Sequence, residues 1–228
     1  MYRYAVYYVP AAEHPLWEAG CAWLRCDPER PDAALRPVSH PVPVGEPARY
    51  GFHATLKAPL RLSSIDAESA WLEAVARLAS DVQAFEMPRL QVAMLGDFLA
   101  LQPVEPLQAQ HPLRRLADAC VTDLDRFRAP PDPRERARRN IAALDARQRE
   151  LLERYGYPYV LDRWRFHMTL SDGLGRDGDA RHASFAAAAR EHFAAALSVP
   201  LRCDQIAVFA EPEPGAPFRV VQRFALAP

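Results

Sequence analysis

The sequence predicts an α+β protein folded as two related lobes. Three observations carry that expectation. An order of strand, helix and two strands runs twice along the 228 residues. A histidine-centred motif also occurs twice. It reads Arg49-Tyr50-Gly51-Phe52-His53-Ala54-Thr55-Leu56 and Arg163-Trp164-Arg165-Phe166-His167-Met168-Thr169-Leu170. The run from each central histidine to the next matching proline is similar, 35 residues to Pro88 and 33 to Pro200, as an internal duplication would leave it.

The elements follow from local pattern. Residues 2–9 alternate and are rich in Tyr and Val, so they read as a strand. Leu16, Trp17, Ala19 and Trp23 form an apolar stripe on a helix over 14–25. The proline-rich run 27–47 reads as a loop, and 50–62 as a second strand. Ser64 and Asp66 are candidate caps for a helix over 66–80, where Trp71, Leu72, Val75 and Leu78 recur at helical spacing. Strands over 88–95 and 98–103 flank a Gly96-Asp97 turn, and a helix is expected over 111–127. A helical insertion at about 129–160 opens on Ala-Pro-Pro-Asp-Pro. Within it, Asp132 before Pro133 is a candidate cap, with helices over 133–142 and 146–155. A strand over 163–172, a helix over 180–196 and strands over 202–210 and 217–226 complete the chain.

Composition narrows the function classes. Half the residues are hydrophobic, enough for one substantial core or two small fused lobes. The net charge of −1 points to neither DNA nor an anionic membrane as partner. Four cysteines, Cys21, Cys26, Cys120 and Cys203, have no zinc-type spacing and are expected as reduced, mostly buried thiols. The apolar N-terminal stretch is too short for a signal peptide and lacks a small-residue cleavage site. No run approaches the roughly 18 apolar residues that span a bilayer. A soluble, cytoplasmic protein is the expectation.

The paired motif carries the chemistry. The chain has three threonines and seven histidines. Two of those threonines, Thr55 and Thr169, lie two residues after a histidine, where random placement gives about 0.1 such pairs. On a strand, residues two apart share a face and sit about 7 Å apart. His53 and Thr55 therefore face one way, and Phe52, Ala54 and Leu56 the other. The same holds for His167 and Thr169 against Phe166, Met168 and Leu170. Continuing the alternation adds Arg49 and the single lysine, Lys57, to the first polar face. It adds Arg163, Arg165 and Ser171 to the second.

Two imidazoles can divide acid and base roles near neutrality. One takes a proton from water; the other protonates a departing alkoxide. Hydroxyls of Thr55 and Thr169 can donate to phosphoryl oxygens, and Lys57 or Arg165 can offset transition-state charge. No cofactor or metal is called for, since the motifs bring no carboxylate or cysteine ligand. Lys57 and Arg165 read equally as solvated surface charges. Tyr4, Tyr8 and Tyr50 either stack on a base or sugar or pack in the core and rim. Arg49 and Arg163 read as salt-bridged where the strands begin. The Arg134–Arg139 cluster reads as a solvated helix face, with a substrate lid as the lesser reading. The other histidines carry no motif.

Two His-x-Thr motifs on strands of duplicated lobes resemble the two-histidine (2H) phosphoesterase superfamily. That superfamily includes LigT-type RNA cyclic phosphodiesterases and plant cyclic nucleotide phosphodiesterases. The longer motifs, the Tyr2-Arg3-Tyr4-Ala5 start and Tyr155-Gly156-Tyr157-Pro158-Tyr159 look like one bacterial branch. It is encoded beside carbon–phosphorus lyase genes and tied to phosphonate metabolism. The resemblance spans nearly the whole chain. It implies a single bilobal unit over 1–228, a pseudo-two-fold duplication with two antiparallel sheets around a central groove and helices outside. It implies His53, Thr55, His167 and Thr169 as catalytic residues, with Lys57, Arg165, Tyr50 and Tyr4 beside the substrate. The implied reaction is metal-independent hydrolysis of a cyclic phosphodiester of ribose or of a nucleotide, 2′,3′-cyclic or ribosyl 1,2-cyclic. Two other readings stand beside it: an RNA-end processing or ligating enzyme, and a non-catalytic nucleotide- or phosphate-binding module.

Overall fold

A computed structural model describes residues 1–35, 38, 40–64, 67–130, 141–175 and 180–228. Its elements are β1 (Arg3–Tyr8), α1 (Pro15–Leu24), α2 (Gly45–Tyr50), β2 (Ala54–Leu60), α3 (Ala67–Ser80), β3 (Phe85–Glu86), β4 (Leu90–Leu95) and β5 (Phe98–Pro103). Then come α4 (Pro112–Asp123), α5 (Ala146–Tyr155), β6 (Met168–Thr169), α6 (Ala180–Leu197), β7 (Arg202–Cys203), β8 (Gln205–Glu211) and β9 (Arg219–Ala225). The strands form an antiparallel sheet β2-β1-β8-β9, a second, β4-β5-β6, and a small pair β3-β7.

The architecture is the expected α+β duplication, but the lobes interleave. One unit runs β1-α1-β2-α3-β3-β4 and the other β5-α4-β6-α6-β7-β8. Each unit sends its last strand into the other's sheet: β4 pairs with β5, and β8 with β1. The two crossing connections meet at the β3-β7 pair, where Met87 N–H donates to the Leu201 carbonyl at 2.8 Å. The strands that follow each histidine thus complete the other histidine's sheet. Local pattern does not encode this, because strand pairing is a long-range choice. Helices lie outside as expected: α3 packs on β8 and β9, α4 on β2 and α3, and α6 on β4 and α1.

A second duplicated signal marks the units. Helices α1 and α4 both open His-Pro-Leu. His14 Nδ1 accepts from Leu16 N–H at 3.1 Å, and His111 Nδ1 from Leu113 N–H at 3.2 Å. Each proline takes the first helical position, where no amide hydrogen is needed. Imidazole thus serves here as a helix cap.

Other expectations are corrected. The loop before the first motif ends in helix α2, so Arg49 and Tyr50 stand on a helix rather than a strand. Asp172 holds that helix's start, accepting from Gly45 N–H at 2.9 Å and Glu46 N–H at 2.7 Å. The second motif strand shortens to Met168–Thr169, preceded by a 3₁₀ turn over Leu161–Arg163. Helix α5 falls where the insertion predicts one, with Asp145 and Gln148 forming a capping box. The Asp132 cap, most of the 133–142 helix, the Arg134–Arg139 cluster and Asp66 lie outside the described residues. Cys21, Cys120 and Cys203 are buried, Cys26 is half-buried, and all four are free thiols. Among the described residues no helix is long and apolar enough to cross a membrane.

Candidate functional site

The two motif strands are edge strands, and β2 adjoins β6. Three cross-ties hold them together: Asp172 on α2, Trp23 Nε1–H donating to the Leu170 carbonyl at 2.7 Å, and Trp164 Nε1–H donating to the Thr55 carbonyl at 2.8 Å. Apolar motif residues point inward as predicted, with Phe52, Ala54, Leu56, Phe166, Met168 and Leu170 all buried.

His53 and His167 sit just before their strands in matching poses. His53 Nδ1 lies 2.8 Å from the Gly51 carbonyl, and His167 Nδ1 lies 2.9 Å from the Arg165 carbonyl. A carbonyl can only accept, so each ring carries its proton on Nδ1 and presents Nε2 as the free base. Thr55 Oγ1 is 3.3 Å from His53 Nε2. Each ring has an aromatic neighbour from the adjacent strand. Tyr7 of β1 stacks on His53 at 3.7 Å, and Phe98 of β5 lies 5.8 Å from His167. Thr169 pairs with Ala100 on that same strand, which puts Phe98 and Thr169 on one face.

Burial lowers the pKa of both imidazoles, that of His53 to about 4. Proximity to His167 adds to the depression at His53. Contact between β2 and β6 and the Trp164–Thr55 tie bring the two histidine-bearing segments to one locus.

Lys57 is not at that locus. A β-bulge explains why: Thr55 pairs with Tyr7 but Lys57 pairs with Val6, so the extra residue flips the alternation. Lys57 is buried on the opposite face, donating to the Val121 carbonyl at 2.9 Å and to Asp125 at 3.2 Å. Burial lowers its pKa against the pull of Asp125. A cavity of about 360 Å³ lies on that side, walled by Lys57, Arg61, Arg128, Arg149 and Tyr155, with neither motif histidine on its wall. Tyr4 also faces away. It shares the Val6 face and is buried, and burial, with Glu68 of α3 nearby, raises its pKa. Ser171 is buried too, its hydroxyl accepting from Leu99 N–H and donating to the Asp172 carbonyl.

The remaining candidates fall as follows. Tyr50 stands 6.4 Å from His53, ring to ring. Arg165 gives its carbonyl to His167, and its side chain is exposed. Arg163 is paired with Asp145. Sequence reasoning missed Tyr7, Phe98 and Trp164. Only Trp164 had a signal, as the aromatic residue matching Tyr50 between the two motifs.

The arrangement offers two imidazoles, each anchored through Nδ1, with the Thr55 hydroxyl beside the Nε2 of His53. Once one ring is protonated, the pair can accept one proton and donate another across a group held between them.

Residues 55–219 match a family described as a protein of unknown function, DUF1045. A protein of Janthinobacterium sp. (strain Marseille), named ribose 1,5-bisphosphate phosphokinase PhnN, is 40% identical over 98% of this chain and 50% of its own length. A like-named protein of Laribacter hongkongensis (strain HLHK9) is 37% identical over 96% of this chain and 50% of its own. This chain thus spans about half the length of these curated relatives. The crystal structure of E. coli LigT complexed with 3′-AMP is 15% identical, covers 100% of this chain and 99% of its own, and has a TM-score of 0.49.

Proposed function

We propose that this chain, which belongs to the DUF1045 family, is a phosphoesterase that opens a ribosyl 1,2-cyclic phosphate by two-histidine acid–base catalysis. The observation that carries the reading is the matched fixing of two rings, His53 Nδ1 on the Gly51 carbonyl and His167 Nδ1 on the Arg165 carbonyl. That fixing occupies Nδ1 of each ring, so the chemistry falls to Nε2, where the His53 atom already meets the Thr55 hydroxyl. One imidazole takes a proton from water as the water oxygen bonds phosphorus. The other, protonated, gives its proton to the ribose O2 as the P–O2 bond breaks. Thr55 and Thr169 donate to the non-bridging oxygens. The depressed pKa values keep both rings neutral in the empty site. The anionic diester raises the pKa of the ring it meets and so recruits the acid.

The relatives' name supports the substrate. Opening the 1,2-cyclic phosphate of ribose 5-phosphate at O2 yields ribose 1,5-bisphosphate, the compound in that name. The phosphokinase activity in the name belongs, in this reading, to the half of the relatives outside the match. A phosphate-binding loop needs Gly-x-x-x-x-Gly-Lys-Ser/Thr, and the single lysine here lies in Thr-Leu-Lys-Ala. A hydrolase and a kinase acting in succession make sense of one chain carrying both. The phosphonate link read from the motifs fits the same sequence of reactions.

The test is incubation with ribose 1,2-cyclic phosphate and its 5-phosphate, with EDTA present, followed by phosphorus NMR. The expected product is the 1-phosphomonoester. No turnover of either compound, with turnover of 2′,3′-cyclic RNA ends instead, would move the assignment to RNA-end processing. Tight binding without turnover would leave only a phosphate-binding module.

A further inference from the structure

On the face of β1 that carries Tyr7, the next residues outward are Ala5 and Arg3. Arg3 stands opposite Glu211 in the ladder, and Glu211 is fully buried. Arg3 Nε–H donates to one Glu211 carboxylate oxygen, and Gly215 N–H donates to the other at 2.8 Å. Arg49 Nη2, 4.0 Å from that second oxygen, donates to the Tyr50 hydroxyl at 2.6 Å.

Two guanidinium groups therefore share one carboxylate, leaving excess positive charge. A structural ion pair needs one arginine; the second is surplus to Glu211. Both side chains keep an open face, 22% exposed for Arg3 and 25% for Arg49. Among the described residues Arg49 Nε is a buried donor without a partner, a cost that structural packing alone does not explain. The cluster adjoins His53. The Tyr50 ring lies 6.4 Å from His53, and Arg49 Cζ lies 4.6 Å from that ring. Phe218 lies against both Tyr50, at 5.0 Å, and Arg3 Cζ, at 5.7 Å. One aromatic ring thus separates imidazole from guanidinium. Ala5, the residue between Tyr7 and Arg3 on that face, adds only a methyl group.

We propose that Arg3 and Arg49, braced by Glu211 and Tyr50, form a second phosphate subsite beside the histidine pair, and that it takes the 5-phosphate of the ribose substrate. Guanidinium forks match phosphate oxygens in pairs and stay charged at any working pH. The sugar bridges the two sites, its cyclic phosphate at the histidines and its 5-phosphate at the arginines. The identity of the cleaved phosphate rests on the phosphoesterase reading; the subsite itself does not.

The experiment is calorimetric titration with ribose 5-phosphate, with ribose as control, on wild type, Arg49→Gln and the His53→Ala/His167→Ala double variant. Arg49→Gln leaves the Arg3–Glu211 pair intact. Ribose 5-phosphate is expected to bind wild type and the double-histidine variant, and to bind Arg49→Gln roughly ten-fold or more weakly. Tyr50→Phe, which frees Arg49 without removing charge, is expected to bind several-fold more weakly, and it decides the matter if Arg49→Gln does not fold. No binding to wild type, or binding lost in the histidine variant and kept in Arg49→Gln, overturns the subsite. In kinetics, wild type should prefer the 5-phosphorylated cyclic substrate over its 5-hydroxyl counterpart. Arg49→Gln should cut that preference about ten-fold. Equal handling of the two substrates by wild type also overturns the subsite. If wild type hydrolyses neither, the phosphoesterase reading fails while the titration still decides the subsite.

Discussion

Trp164 donates its indole N–H to the Thr55 carbonyl at 2.8 Å, tying the segment that leads into His167 to the strand that leaves His53. The indole is buried, so the bond forms away from competing water. Trp164→Phe keeps most of the ring and removes the donor. It should cost about 1–2 kcal/mol in urea unfolding, the usual penalty for an orphaned buried acceptor. It should also lower kcat on the cyclic substrate about ten-fold by loosening the two histidines. Lost stability with unchanged kcat would make the tie structural only.

Two half-buried imidazoles with lowered pKa values tie folding to pH. Their folded pKa values lie below the ordinary value of 6.5, that of His53 at about 4. Between those values the unfolded chain binds more protons than the folded one, so stability rises with pH. The contribution is complete above about 6.5 and is lost as pH falls toward 4. His53→Gln removes one of the two titrations. Urea midpoints for wild type and variant should converge as pH drops from 7 to 5. Parallel curves would show that His53 titrates normally in the folded state.

Gly51 sits at φ 80 and ψ 176, a region open to glycine alone. A Cβ there would lie 2.9 Å from Pro28 Cγ. Its carbonyl is also the acceptor that fixes His53. Gly51→Ala should therefore destabilise the chain by roughly 1–3 kcal/mol. It should reduce kcat more than KM, because the ring it orients acts in the transition state. A variant with wild-type kcat would detach the Gly51 carbonyl from the chemistry.

Lys57 belongs to the interior. Asp125 remains doubly held by Arg128, at 2.9 Å through Nε and 2.9 Å through Nη2, when Lys57 is removed. Lys57→Met should cost about 1–2 kcal/mol in unfolding, mostly for the orphaned Val121 carbonyl. Its kcat/KM should stay within about two-fold of wild type. A much larger kinetic loss with normal stability would return Lys57 to the substrate.

The parts of this structure that the sequence discloses are those with a local period. Alternation placed β1 to within a residue at each end, and the apolar stripes placed α1 and α3 similarly well. The motif gave His53, Thr55, His167 and Thr169 a shared face each. It misplaced Lys57 because one bulged residue against Val6 and Tyr7 inverts the alternation there, until a second register shift before Leu60 restores it, and a bulge has no period. Tyr4 went astray for a related reason: alternation says that Tyr4 and Tyr7 oppose, but not which face meets the histidine. The exchange of β4 and β8 between the units was invisible, since it depends on which sheet edge each strand reaches. Yet His14-Pro15-Leu16 and His111-Pro112-Leu113 stood in the sequence as a second duplicated signal. They open the helix that follows each unit's first strand, ahead of the histidine motif.

The central claim is that His53 and His167 act as one acid–base device, and the measurement that meets it most directly is the kcat of His53→Ala, His167→Ala and the double variant on ribosyl 1,2-cyclic phosphate. Groups that act as a unit are non-additive. Each single variant should fall by about a thousand-fold or more, and the double variant should fall little further. Single variants that retain near wild-type kcat, or losses that multiply in the double variant, would contradict the account.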